Sequence, residues 1–124
     1  MLRAKLHEGG FAVCAEADEV ARAAAVAARE QPDVCLLDGA VAGGADAAIT
    51  AMRRAAPLVP VVILARCASD AELLEAVAAG ARGHLREDLR PPELVGALAD
   101  VLAGRPAFPR RLEALLVAAL RRAA

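Results

Sequence analysis

Two kinds of segment alternate along this 124-residue chain. Short apolar runs lie at 11–15, 33–37, 59–64 and, more weakly, 82–85. The longer stretches between them are rich in alanine and repeat apolar residues three and four positions apart, as on one face of a helix. Apolar strands that alternate with helices are typical of a parallel sheet with helices on both faces. The sequence therefore predicts one α/β domain, for which this length is sufficient.

Residues that begin or end helices fit the same alternation. Ser69 and Glu72 have the spacing of a capping box, and Asp18 is predicted to cap the helix that follows it. Pro91 is predicted to lie at the start of a helix and Gly80 at the end of one.

The last segment of the chain, 110–124, has the pattern of an amphipathic helix. Its apolar residues lie on one face, and arginines occupy the others. Such a stripe is expected to pack against its own domain or against a partner. We therefore divide the chain into a domain at 1–107 and a linker-like amphipathic helix at 108–124.

The composition excludes several functions. With no Trp or Tyr, the chain offers no aromatic platform on which bases could stack. A net charge of -1 gives no electrostatic signature of a DNA-binding or membrane-binding protein, and the arginines after position 104 are interpreted as a solvated helix face. Because no run is apolar enough for a signal peptide or a membrane span, a cytoplasmic protein is predicted.

The three cysteines are an odd number at wide spacing, which fits neither a disulfide framework nor a C-x-x-C metal site. Cys14 and Cys35 lie in apolar runs and are predicted to be buried, whereas Cys67 follows a strand and is expected at the surface.

The second apolar run ends on Asp38, and the glycine-rich stretch "GAVAGG" follows. A carboxylate at a strand tip can be a chemically active group. It can also accept hydrogen bonds from turn amides and cap the next helix. The glycines lack the pattern of a P-loop or a dinucleotide fingerprint, so they do not predict a nucleotide site.

Three stretches resemble, in order, the receiver domain of bacterial response regulators: "EGGFAVCAEADEVARAAAVAAREQPDVCLLDGAVAGG", "PLVPVVILARCASDAELLEAVAAGARGHLRED" and "PPELVGALADVLAGRPAFP". The run "AVAAGARGHLREDLRPPELVGALADVLAG" is similar to the NarL/LuxR type of transcriptional regulator. The resemblance implies a CheY-like, flavodoxin-like doubly wound parallel sheet with strand order 2-1-3-4-5. We expect this fold without its first strand and with an extra C-terminal helix, because the given residues start after that strand.

In the family's strand order the first strand lies at the sheet centre, so its absence predicts unpaired edges. Three arrangements are open: the chain is a shortened form of a longer regulator, the family's second and third strands pair directly, or another copy fills the gap.

The resemblance implies that Asp38 is the position that accepts a phosphoryl group from a histidine kinase. In the family this chemistry needs Mg²⁺ held by an acidic pair at the end of the first strand, a lysine, and a Thr or Ser hydroxyl. Here the acidic pair is absent from the given residues, Ala65 occupies the hydroxyl position, and Glu87 occupies the lysine position. His84 takes the place of the switch aromatic and is predicted to be a surface residue.

We therefore interpret the chain as a degenerate receiver of a two-component response regulator. It would serve signal transduction and transcription regulation through protein contacts, without enzyme activity or a cofactor. The expected partner is a protein or a second copy in a homodimer, rather than DNA or a membrane, and a histidine kinase is a weaker expectation. The contact surface is predicted over 69–103 and the tail helix. The interface candidates are Leu94, Leu98, Leu112, Leu115, Leu116 and Leu120.

Two alternatives stay open. The chain could be a shortened but phosphorylatable receiver of a DNA-binding regulator, with Asp38 as phosphoacceptor and Mg²⁺ as cofactor. It could also be a small α/β enzyme or phosphate-binding protein that uses the Asp38 loop.

Overall fold

The computed structural model of the chain describes residues 6–123. Residues 6–8 are helical, and an extended segment follows. The later elements are α1 (Val20–Glu30), β1 (Cys35–Asp38), α2 (Ala45–Ala55), β2 (Val61–Ala65), α3 (Asp70–Ala79), β3 (Gly83–Arg86), α4 (Pro91–Leu102) and α5 (Arg111–Ala123).

The three strands form one parallel sheet in the order β1-β2-β3. Leu37 is in register with Ile63, and Ile63 is in register with His84. The first four residues of β2 are buried, as expected for a central strand covered on both faces. Because the strands are parallel, their carboxyl ends meet at one edge of the sheet.

Successive residues of β2 point to opposite faces of the sheet. Val61 and Ile63 belong to one apolar cluster with α1, α2 and α3. Val62 and Leu64 belong to a second cluster with α4. Helices therefore cover both faces, which confirms the predicted doubly wound α/β architecture.

The helix ends of α3 and α4 confirm the capping predictions. The Ser69 hydroxyl accepts a hydrogen bond from the Glu72 N–H at 3.1 Å, and the Glu72 carboxylate accepts one from the Ser69 N–H at 3.1 Å. Gly80 ends α3 with a φ of 103°, a conformation that favours glycine. Pro91 is the first residue of α4.

The prediction that Asp18 caps the first long helix is wrong. The residue at the cap of α1 is Glu19, and its side chain makes no capping hydrogen bond. Because the helix begins one residue later than expected, Asp18 lies outside the cap. It forms instead an exposed ion pair with Arg22 at 3.4 Å.

The strand predicted at 11–15 is not formed, although its apolar residues are partly buried. Phe11 and Val13 pack against the second cluster, and the Phe11 N–H donates to the Leu6 carbonyl at 2.9 Å. In the family's order this strand pairs only with the first strand, and within residues 6–123 no strand lies before β1. It does not pair with β1 either, so direct pairing of the family's second and third strands is also ruled out for residues 6–123.

The unpaired segment also explains an error in the cysteine predictions. Cys14 is exposed, not buried, because no neighbouring strand covers it. Cys35 is half-buried in β1, and burial raises the pKa of its thiol to about 11. Cys67 is exposed, as predicted.

The tail forms the predicted amphipathic helix, α5. Leu112 is buried on the domain, while Leu120 is 71% exposed. Over residues 6–123, no helix combines the length and the apolar character that crossing a membrane requires.

Candidate functional site at the carboxyl edge of the sheet

The three positions singled out by the sequence, Asp38, Ala65 and Glu87, lie at the same edge of the sheet. The Gly39 N–H, directly after Asp38, donates to the Leu64 carbonyl at 2.8 Å. The Glu87 N–H donates to the Ala65 carbonyl at 2.9 Å. These two hydrogen bonds extend the strand pairing by one residue on each side of β2, so the chain after each strand is held close to its neighbour.

Asp38 ends β1 with an exposed side chain. One carboxylate oxygen accepts a hydrogen bond from the Ala40 N–H at 2.9 Å, which is the turn contact that a structural role predicts. The second part of that role, capping of α2, is not observed, because Gly44 lies at the cap and has no side chain to donate or accept. The carboxylate is thus anchored to its own turn and open to solvent.

Ala65 presents only a methyl group beside this turn. A Cβ placed on Gly39 would lie 3.0 Å from the Ala65 Cβ and 3.2 Å from Cγ2 of Ile63. The turn after Asp38 therefore passes very close to the end of β2, and glycine is the residue that permits the approach. A methyl group cannot donate a hydrogen bond to any group carried by Asp38.

Glu87 carries a carboxylate at the position that the resemblance assigns to a lysine. Its nearest cation is the guanidinium of Arg66, with 3.6 Å between the Glu87 Oε1 and the Arg66 Nε. Arg86 pairs in the same way with Asp88 at 2.7 Å. Arg66, directly after Ala65, and Arg86, directly before Glu87, are thus each paired with a nearby carboxylate.

Arg66 was not among the predicted site residues. The signal was available in the sequence, because Arg66 directly follows the position where the hydroxyl is expected. Its contact with Glu87 could not be foreseen without knowing how the loops after β2 and β3 approach each other.

The donor set at this edge does not fit a Mg²⁺ ion. Within the part of the chain that the structure describes, no group of three His, Cys, Asp or Glu side chains could hold a metal ion. Asp38 supplies one carboxylate, while that of Glu87 faces Arg66. Mg²⁺ demands near-octahedral oxygen coordination, usually from carboxylates, phosphate oxygens and water.

His84 is buried, which corrects the prediction that it is a surface residue. It is only 8% exposed, and its backbone N–H donates to the Ala107 carbonyl at 2.9 Å. Burial lowers the pKa of His84; the Glu72 carboxylate opposes this shift, and Arg111 adds to it. The prediction failed because the segment after α4 returns along β3 and covers it.

Arg111 connects the tail helix to the start of α3. Its guanidinium donates to the Ala68 carbonyl and lies 3.4 Å from Oδ1 of Asp70. Arg111 therefore links the tail helix to the loop after β2 and to the start of α3. It also acts electrostatically on the buried His84.

The leucines proposed as interface candidates fall into two groups. Leu94, Leu98 and Leu112 are buried inside the domain, so for these three the prediction of a partner contact is corrected: their apolar spacing reflects core packing. Leu115 and Leu116 are half-buried, and Leu120 is exposed. For the latter three the partner contact stays a prediction.

A parallel sheet between two helical layers, with an exposed aspartate at the carboxyl end of a strand, is the architecture of a receiver-type signalling domain. The comparisons with known proteins agree. The chain is 36% identical over 113 residues to the DNA-binding transcriptional activator DevR/DosR of Mycobacterium tuberculosis, covering 90% of this chain and 52% of that protein. The chain thus spans about half the length of this relative. No protein-family model matches this chain.

Solved structures show the same relationship. A LuxR-family two-component response regulator from Aurantimonas superposes with a TM-score of 0.76 at 29% identity, covering 93% of this chain and 81% of that one. The signal receiver domain of the response regulator NarL from Mycobacterium tuberculosis gives a TM-score of 0.74 at 30% identity, covering 84% and 85%. The chain belongs to the receiver domains of response regulators of the LuxR/NarL type.

Proposed function

We propose that this receiver domain acts through protein contacts and does not use Mg²⁺-dependent phosphorylation of Asp38 as its normal input. The observation that carries the proposal is the joined pair at the site edge, Ala65 and Glu87. Phosphoryl transfer to a carboxylate depends on cationic and hydrogen-bonding groups that stabilise the added negative charge. Here one position offers a methyl group and the other a second carboxylate.

The electrostatics support the same conclusion. A phosphoryl group on Asp38 would bring further negative charge to an edge that already carries the carboxylates of Glu87 and Asp88. The arginines nearby are engaged with these carboxylates at 3.6 and 2.7 Å. Drawing either arginine toward a phosphoryl group would therefore break an existing ion pair.

A second candidate is a phosphorylatable receiver with Asp38 as phosphoacceptor. It is favoured by the exposure of Asp38 at the carboxyl end of β1, where the family's aspartate lies. In that case Mg²⁺ would be needed, as in receiver domains that are phosphorylated.

For the partners, we propose that residues 69–103 and the tail helix contact protein, and that this domain does not itself contact DNA. Response regulators in general are not enzymes, and we propose the same for this chain. Its activity would be regulatory.

The test uses beryllofluoride, which mimics a phosphoryl group on an aspartate. We expect no change in melting temperature when the protein is mixed with Mg²⁺ and beryllofluoride. A conventional receiver that binds the mimic tightly should gain several degrees, since ligand bound to the folded state stabilises it. A gain of about 5 °C or more in this protein, lost in Asp38→Asn, would establish the second candidate instead.

A further inference from the structure

The side of α5 that faces away from the domain is apolar at its centre. Val117 and Leu120 are 43% and 71% exposed, whereas Leu112 on the inner side is 6% exposed. Glu113, Ala114, Val117 and Arg121 line one open, shallow surface. Together with the exposed Leu120, we call these residues the outer stripe. Exposed apolar residues grouped within charged ones mark a contact surface.

The charges of the outer stripe are placed symmetrically about Val117. Glu113 lies four residues before it and Arg121 four residues after it, so the three form one row along the helix. Within residues 6–123, neither the Glu113 nor the Arg121 side chain has a hydrogen bond or an ion pair. An acid and a base are therefore both available to a partner.

A second copy of the chain complements this row when the two helices run antiparallel. With Val117 opposite Val117 of the second copy, Glu113 is level with Arg121 of the second copy. Leu120 is level with Ala114 of the second copy, so a large side chain meets a small one. Each of these pairings occurs twice, as a two-fold axis requires.

We propose that the outer stripe is a homodimer interface, formed by antiparallel packing of the α5 helices of two copies. The charge pattern favours a second copy over an unrelated partner, because acid meets base at both ends of the same pair. The inference deepens the proposed function and rests on it, since it names the protein contact through which the domain would act.

The interface is small, so the dimer should be weak. A 13-residue helix is about 20 Å long at 1.5 Å per residue, and its centre is formed by alanine, valine and leucine. Such an area lies at the low end of specific interfaces, and we expect a dissociation constant on the order of 100 µM.

The proposal is tested by sedimentation velocity on the full chain at concentrations from about 10 µM to about 1 mM. The wild type should shift from monomer to dimer across this range. Glu113→Arg and Arg121→Glu should each weaken association about tenfold, because each places like charges opposite each other. The double variant Glu113→Arg with Arg121→Glu restores opposite charges and should return to within about threefold of the wild type.

Two control variants match these changes. Arg122→Glu makes the same charge change one residue further along, outside the outer stripe. Leu58→Ser removes an exposed apolar residue in the loop between α2 and β2, which is 88% exposed. Both should dimerise like the wild type. If a charge reversal lowers the melting temperature, Val117→Ala replaces it, and we expect about threefold weaker association from the trimmed centre.

A wild type that stays monomeric at every concentration overturns the interface. The same conclusion follows if Arg122→Glu weakens association as much as Arg121→Glu does, or if the double variant does not regain dimerisation. Addition of acetyl phosphate separates this inference from the proposed function. An adduct on a protein that still dimerises through the outer stripe overturns only the proposed function. A monomer without adduct overturns only the interface.

Discussion

The Glu87 N–H donates a hydrogen bond to the Ala65 carbonyl at 2.9 Å, so two of the positions at which this chain departs from the receiver pattern are directly joined. Both lie at the edge where Asp38 ends its strand. Because the backbone is held in place by this bond, the missing hydroxyl and the missing lysine are a matter of side-chain chemistry and not of a displaced loop. The fold presents the aspartate at the strand tip, and the proposed function rests on the side chains at these two positions, a methyl group and a carboxylate.

Glu87→Lys should be tolerated by the fold. The ion pair with Arg66 spans 3.6 Å between largely exposed side chains, and such pairs contribute less than about 1 kcal/mol. We expect the free energy of unfolding, measured by urea titration, to change by less than about 0.5 kcal/mol. A loss above about 1.5 kcal/mol would show that Glu87 is needed for the structure of this edge.

Stability should fall as the pH drops from about 7.5 to about 5.5, because burial lowers the pKa of His84 below its ordinary value of 6.5. The unfolded chain then binds more protons than the folded one in this range, so acid favours unfolding. Glu72, whose pKa is lowered by hydrogen bonds from Ser69, remains ionised throughout.

Thermal melts at both pH values check this expectation. His84→Phe should remove much of the difference, whereas His7→Gln, at an exposed position, should leave it in place. Equal pH dependence in the wild type and in His84→Phe would contradict the assignment to His84.

Gly83→Ala should destabilise the domain by about 1–3 kcal/mol, the usual cost of overpacking. A Cβ at Gly83 would lie 2.8 Å from the Ala107 carbonyl oxygen, and backbone cannot move aside as a side chain can. Gly96→Ala is the matched control, since a Cβ there meets nothing within 4 Å and Gly96 lies inside α4. It should stabilise by about 0.5–1 kcal/mol. Urea titration of both variants measures the difference, and equal effects would contradict the close approach at β3.

The three thiols should differ in reactivity. Cys14 and Cys67 are exposed and should be alkylated quickly at neutral pH. Cys35 should react slowly, because burial raises the pKa of its thiol to about 11 and leaves almost no thiolate. Mass spectrometry of timed iodoacetamide reactions should show two fast modifications and one slow one. Rapid modification of Cys35 in the folded protein would show that β1 opens readily.

The alternation of strands and helices could be predicted from the sequence because it depends on local spacing. β1, β2 and β3 were each expected within one or two residues of their observed bounds, and the capping box at Ser69 was correct. The strand at 11–15 could not be judged in the same way, since a strand needs a partner whose presence local pattern does not reveal. Its side chains Phe11 and Val13 pack against apolar neighbours, but its backbone does not pair with a strand of the sheet.

In the candidate site, too, features set by local sequence could be predicted, whereas features set by contacts between distant segments could not. The place of Asp38 at a strand tip and its turn contact followed from the sequence. The burial of His84 depended on the return of the chain near Ala107, and the partner of Glu87 depended on the approach of two loops. Leu94 and Leu98 show the converse: their spacing correctly predicted an apolar face, but the sequence could not say that the domain itself buries it.

The most direct test of the central claim is the intact mass of the protein after incubation with acetyl phosphate and Mg²⁺. The account predicts an unchanged mass, under conditions in which a conventional receiver of the same family gains one phosphoryl group of about 80 Da. A stable adduct of that mass on the wild type, absent from Asp38→Asn, would contradict it.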